Sequence, residues 1–286
     1  MKKIGVTTES AADLSEELVK KYNIGIVNFK VDLDKLKNIP GNIFEKMRKA
    51  EQEGIESTVK TSQPSIADYI GVFKKKLEEF EEVIHISVSS KVSGAYNSAM
   101  QAKKFLGAQS ERIHILDSQK ASGAQALLVI KAIEDIEKEA NLKQITDNFN
   151  ERVKKAFLFF MYDNPKWLKA GGRFPKIAQI GLQKMKDFNI GIIMREKGGV
   201  IRPMTIKKNV RNLADPLFDE FKKFTKDIKE KISVVITHGD NDKEALKLKE
   251  QLETLKNIEV LYVSLLDVVL GAHAGPNTLL INFIYE

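Results

Sequence analysis

Val83-Ile84-His85-Ile86-Ser87-Val88 runs straight into the polar loop Ser89-Ser90-Lys91-Val92-Ser93-Gly94, which opens onto Ala95-Tyr96-Asn97-Ser98-Ala99. The first stretch is short, apolar and β-branched, as a strand covered on both faces should be. Helical periodicity follows from Tyr96 to Leu106. Strand, polar loop and helix make the repeating unit of a parallel α/β sheet, and the same order recurs on either side. Ile4–Thr7, Ile24–Val31 and Ile113–Leu116 read as strands, and Leu14–Tyr22, Ile43–Glu53, Ile66–Phe80 and Gln125–Glu139 as helices. In such sheets ligands bind beyond the carboxyl ends of the strands, so chemistry should gather in the loops after Thr7, Val88 and Leu116.

Further along, a helix over Leu142–Lys155 leads into the apolar run Ala156–Met161. The α/β pattern then begins again, which predicts two α/β domains, residues 1–156 and 157–286. The first should hold a mostly parallel sheet with helices on both faces. In the second, strands are expected at Ile190–Arg195, Val200–Ile206, Ile232–Thr237, Val260–Leu265 and Leu279–Tyr285, with helices at Leu213–Phe224 and Lys243–Leu255. Lys197-Gly198-Gly199 suits a β-hairpin turn, because glycine supplies positive φ, and the second sheet is therefore expected to be mixed.

With 286 residues, 43% of them hydrophobic, the chain can bury a sizeable core. It contains no cysteine, which excludes disulfides, thiolate metal sites and a cysteine nucleophile, and a reducing, cytoplasmic setting fits. Met1–Thr7 is too brief for a signal-peptide core, and no run approaches the roughly 20 apolar residues of a membrane span. The net charge of +7 raises the question of nucleic acid. Lys74, Lys75 and Lys76, however, lie beside Glu78 and Glu79 in a helical pattern, as on a solvated face, and no nucleic-acid partner is expected. The excess charge suits an acidic partner or, at most, transient membrane contact.

Four loops concentrate hydroxyls and small residues: Thr7–Ser10, Thr61–Ser65, Ser89–Ser98, and Asp117-Ser118 with Ala121-Ser122-Gly123. Hydroxyls and free amides at helix starts can hold a carboxylate or phosphate. Ser10, Ser65 and Ser118 fit N-caps better than ligand contacts, whereas Thr61, Ser62 and Ser93 supply more hydroxyls than one cap needs. Near the C-terminus, His273 stands in Gly271-Ala272-His273-Ala274-Gly275-Pro276-Asn277, where backbone can approach a ligand. A second glycine-rich loop, Asn164–Arg173, carries the only tryptophan, Trp167. His238 suits a polar rim and a functional position equally well.

Thr8-Glu9-Ser10, Thr61-Ser62-Gln63-Pro64-Ser65, Ser93-Gly94-Ala95-Tyr96-Asn97-Ser98-Ala99, Asp117-Ser118 with Ala121-Ser122-Gly123, Leu168-Lys169-Ala170-Gly171-Gly172-Arg173 and His273-Ala274-Gly275-Pro276 together resemble the DegV family in order and spacing. The resemblance implies two α/β domains with one long-chain fatty acid in a buried slot at the domain interface. It implies a carboxylate held by Thr61, Ser62, Ser93, Gly94 and His273, and no cofactor or metal. By the same likeness the chain is a lipid-binding protein rather than an enzyme. It presents the carboxylate to a fatty acid kinase, with Arg173 and Arg202 as candidates for docking that partner. Phe157, Phe159, Phe160, Ile190, Ile192, Ile193, Leu279 and Ile281 are available to enclose the tail, although each suits ordinary core as well. The usual Thr-Asp-Ser is here Thr8-Glu9-Ser10, and Gly-Pro-Gly has become Gly275-Pro276-Asn277.

The competing reading is a serine hydrolase acting on acyl esters, since Ser93, His273 and Asp117 are the residue types of a triad. The sequence lacks a Gly-x-Ser-x-Gly elbow, a phosphate-binding Gly-x-x-x-x-Gly-Lys-Ser/Thr loop and any histidine-carboxylate cluster with metal spacing.

Overall fold

A computed structural model describes residues 2–162, 164–172 and 190–286 and divides the chain into two compact units. The first takes the N-terminal segment up to Lys30, then Ser62–Ala156 and Gly198–Val200. The second takes Val31–Thr61, the segment from Phe157 up to Lys197, and Ile201–Glu286. One division between the units falls at Ala156/Phe157, and the excursion Val31–Thr61 groups with the second unit.

In the first unit β1 (Lys2–Glu9), β2 (Gly25–Val27), β5 (Phe80–Ser87) and β6 (Ile113–Asp117) form a sheet in the order β2-β1-β5-β6, every pair parallel. The expected strand over Ile24–Val31 is two short ones, β2 and β3 (Lys30–Asp32). β3 pairs with β4 (Lys60–Ser62), a strand that three polar residues gave no periodicity to announce. Helices Ile66–Glu79 and Ala95–Phe105 pack through Tyr69, Phe73, Leu77, Ala95, Ala99 and Ala102 with Val83, Val88 and Ile113 of the sheet side. Helix Ser122–Glu137 reaches the other face, where Gln125 Nε2 donates to Ile86 O at 3.2 Å. Coverage on both faces explains why Val83–Ser87 is buried without alternation. Helix starts are fixed locally: Asn42, Ser65 and Asn141 form capping boxes with Glu45, Asp68 and Gln144.

The second unit holds β7 (Ala156–Met161), β8 (Gly191–Lys197), β9 (Val200–Lys207), β10 (Ile232–His238), β11 (Ile258–Leu265) and β12 (Leu279–Tyr285) in the order β11-β10-β12-β7-β8-β9. β10 runs parallel to β11 and antiparallel to β12, and β7 is antiparallel to β8, so the sheet is mixed. Gly198 (φ +63°) and Gly199 (φ +86°) turn the β8–β9 hairpin. Two successive positive φ values match the twist of the flanking strands and are nearly strain-free only for glycine. On one face Phe159, Met161, Ile193, Leu279, Ile281 and Phe283 pack with Leu217, Phe221, Leu248 and Leu252 of helices Ala214–Thr225 and Asp242–Glu253. Phe159, Ile193, Leu279 and Ile281, offered by the sequence as tail-enclosing residues, are therefore ordinary core. Phe157 packs at its margin, in ring contact with Phe224 and Phe283.

Two stretches read as loops are helical, Lys166–Gly171 and Val268–Ala274. Glycine and proline at their ends conceal both, and each is shorter than the window over which helical periodicity can be read. Among the described residues no helix is long and apolar enough to cross a membrane.

Candidate functional site

His273 lies in the last turn of helix Val268–Ala274, and three contacts fix that helix. Asp267 caps its start, accepting from Val269 N at 2.9 Å. Phe44 of the Val31–Thr61 excursion presses on its glycine: a Cβ at Gly271 would lie 2.6 Å from Phe44 Cζ. At the other end Gly275 (φ +81°) lies against Trp167, whose Cδ1 would be 1.9 Å from an added Cβ. Trp167 is buried, and Lys166 beside it donates to Glu51 (3.2 Å) and Ser57 (3.1 Å). Helices 43–52, 166–171 and 268–274 thereby brace one another.

On this frame His273 Nε2 lies 2.9 Å from Thr61 Oγ1, both groups half-buried. The bond joins positions 212 residues apart, within one unit. With His273 Nε2–H donating to Thr61 Oγ1, the hydroxyl keeps its own proton to give to an anionic oxygen.

Ser62, Ser93 and Gly94 belong to the first unit. Ser62, on β4, is exposed. Ser93 Oγ accepts from Ala95 N (3.1 Å) at the start of helix Ala95–Phe105, so it keeps its proton to donate elsewhere. Gly94 is the N-cap of that helix, and Gln63 Oε1 would lie 2.0 Å from any Cβ placed there. Gln63 is held by its Nε2 donating to Ser98 Oγ at 2.9 Å. Asp117 accepts from Ser90 N, Ser90 Oγ and Gln119 N at 3.2, 2.6 and 2.9 Å, a role in closing the β5 and β6 loops. Ser65 is the cap expected of it. Ser10 and Ser118 are not helix caps: Ser10 Oγ accepts from Phe29 N, and Ser118 closes a turn onto Lys120. Arg202 is exposed on the outermost strand, β9, and Arg173 lies outside the described residues.

Sequence reasoning passed over Glu9. Its carboxylate is fully buried at the end of β1 and accepts from Tyr69 Oη (2.9 Å), His85 Nε2 (3.0 Å), Ser87 Oγ (2.7 Å), Val88 N (2.9 Å) and Gln125 Nε2 (3.0 Å). Burial alone would raise its pKa. The charge of His85 and hydrogen bonds from His85, Ser87 and Val88 outweigh burial and hold the carboxyl below its ordinary range. Burial, with the charge of Glu9, pushes the Tyr69 phenol up. This network ties β1 to β5 and to helices on both faces, beneath the loops that carry Ser89–Gly94. A lone glutamate after two threonines gave no periodic signal of it.

His238 proves structural. Its Nδ1 accepts from Asn241 N at 3.0 Å where helix Asp242–Glu253 begins, and burial lowers its pKa. Among the described residues no group of histidines and carboxylates is arranged to hold a metal ion.

These features define a two-unit α/β protein with a braced hydroxyl–imidazole pair on the mixed-sheet unit and a hydroxyl-rich loop at the carboxyl ends of the parallel sheet. A family model described as "uncharacterised protein, DegV family" matches residues 3–286, and the chain belongs to the DegV family. It is 29% identical to a DegV domain-containing protein of Staphylococcus aureus strain N315, over 99% of this chain and 97% of that one. A fatty-acid-binding DegV family protein from Thermus thermophilus superposes with a TM-score of 0.86 at 22% identity, covering 99% of this chain and all of its own, 100%. A stearic-acid-binding protein from Eubacterium ventriosum gives 0.86 at 24% identity, covering 99% of this chain and 98% of its own. At these identities the structural likeness speaks to the fold.

Proposed function

We propose that this chain binds one long-chain fatty acid, gripping its carboxylate through Thr61 and His273 together with Ser62, Ser93 and the backbone at Gly94. The observation that carries this reading is the Thr61–His273 pair, 2.9 Å apart, with His273 on one of three mutually braced helices. The fatty acids described in the solved relatives support it. An ionised carboxylate accepts hydrogen bonds only, so hydroxyls and an imidazole N–H answer it without a counter-charge. Each methylene removed from water contributes about 0.8 kcal/mol, so a tail of about 14 to 16 carbons supplies on the order of 10 kcal/mol before ordering costs. Affinity then comes from the tail, and position from the head. In this reading the chain acts without catalysis of its own and offers the carboxylate to a fatty acid kinase for acyl-phosphate formation, with Arg202 and Arg173 at the docking face.

Titrating delipidated protein with hexadecanoic acid tests the binding. One molecule should bind per chain, and Thr61→Ala and Ser93→Ala should each weaken it by roughly 10- to 100-fold, as loss of a charge-assisted hydrogen bond requires. Absence of binding, or variants that bind like the parent, would overturn the assignment. Hydrolysis of aryl esters by the protein, abolished in Ser93→Ala, would favour the serine hydrolase instead.

A further inference from the structure

The mixed sheet has a second face, and it carries a hydroxyl that the described chain leaves unanswered. Along β7, Phe157, Phe159 and Met161 belong to the core beneath the helices. Side chains alternate across a strand, so Leu158, Phe160 and, one residue past the end of β7, Tyr162 lie on the opposite side. Phe160 pairs with Met194 of β8, which extends this face through Met194 and Ile192. All five residues are buried. The rings of Phe160 and Tyr162 are 6.3 Å apart and tilted at 52°.

Tyr162 is 9% exposed, and its Oη is buried without a hydrogen-bond partner among the described residues. Nearly all buried polar groups in folded proteins are paired, and an orphan in apolar surroundings is costly. Burial also pushes the phenol pKa up to about 12, so the group is a neutral hydroxyl with a proton to donate. Five residues later Trp167 lies against Gly275, the C-cap of the helix that ends in His273.

We propose that Tyr162 is a ligand-binding residue whose hydroxyl donates to a carboxylate oxygen of the bound fatty acid, while Phe160, Ile192 and Met194 form the wall beside the first methylenes. This rests on the fatty-acid reading and deepens it. A saturated tail offers no acceptor, which leaves the head group as the hydroxyl's partner. It also explains why an otherwise apolar wall carries tyrosine where phenylalanine would fill the same space.

The test compares wild type with Tyr162→Phe, using hexadecanoic acid and hexadecanol as ligands. The variant should bind the acid roughly 10- to 100-fold more weakly and the alcohol nearly as well as wild type. Delipidated Tyr162→Phe should melt no lower than wild type, because the Tyr162 hydroxyl has no hydrogen-bond partner among the described residues. Unchanged affinity for the acid, an equal loss for both ligands, or a lowered melting temperature would each overturn the assignment of Tyr162. Wild type that binds neither ligand would instead overturn the fatty-acid reading itself.

Discussion

Gly275 is the position at which a single methyl group should do most harm to the proposed site. Its φ of +81° and ψ of 173° fall in a region essentially restricted to glycine, and an alanine held there costs about 1–3 kcal/mol. Its Cβ would lie 1.9, 2.3 and 2.6 Å from Cδ1, Cγ and Nε1 of Trp167, contacts that force a rigid, buried ring to move. Overpacking of this kind costs a further 1–3 kcal/mol or so. Restricting the unfolded chain returns about 0.4–1 kcal/mol, which leaves a net loss of roughly 3 kcal/mol for Gly275→Ala. At about 2 °C per kcal/mol for a chain of this size, the second unit should melt on the order of 6 °C lower. Trp167 is the only tryptophan, so its fluorescence reports the displacement directly. Emission should move to longer wavelength and acrylamide quenching should rise. A variant that melts within a degree of the parent with unchanged emission would refute the claim that Trp167, Gly275 and the His273 helix form one braced assembly.

Glu9→Gln should destabilise the protein by roughly 2–5 kcal/mol, seen as a lower urea midpoint, because either placement of the amide sets its NH2 against at least two of the buried donors now aimed at the carboxylate. Since the carboxyl of Glu9 is held below its ordinary value of 4.5, its contribution is present above that pH and is lost as pH falls through the lowered value; the variant should lack that part of the acid transition. His238 has the opposite charge logic but the same direction. Its pKa is depressed from 6.5 by burial, and protonation removes the acceptor for Asn241 N, so stability held at pH 8 should decline as pH falls below 6.5, with a shallower decline in His238→Asn as measured by urea midpoints.

The parallel sheet was legible because Ile4–Thr7, Val83–Val88 and Ile113–Leu116 are short apolar runs followed by polar loops and periodic helices, a pattern set by burial on both faces. The hairpin at Gly198-Gly199 was legible because two adjacent glycines answer a backbone need that no other residue meets as cheaply. Harder to see was the transfer of Val31–Thr61 to the second unit. That arrangement depends on where Phe44 finds Gly239 and Gly271, contacts across 195 and 227 positions that local pattern cannot encode. The helix carrying His273 was hidden for a related reason. Gly271 is unfavourable in a helix, and only the close approach of Phe44 explains its presence there. At the site, the hydroxyl types at Thr61 and Ser93 pointed to an anion. The Thr61–His273 bond, the Glu9 network and the orphan Tyr162 hydroxyl were invisible, because each is defined by partners distant in sequence or by the lack of one.

Denaturing the purified protein and identifying any released small molecule by mass spectrometry addresses the central claim most directly. The account predicts one saturated or monounsaturated long-chain fatty acid per chain, and less of it from Thr61→Ala prepared in parallel. Protein that releases no lipid and takes up none when offered it would contradict the account.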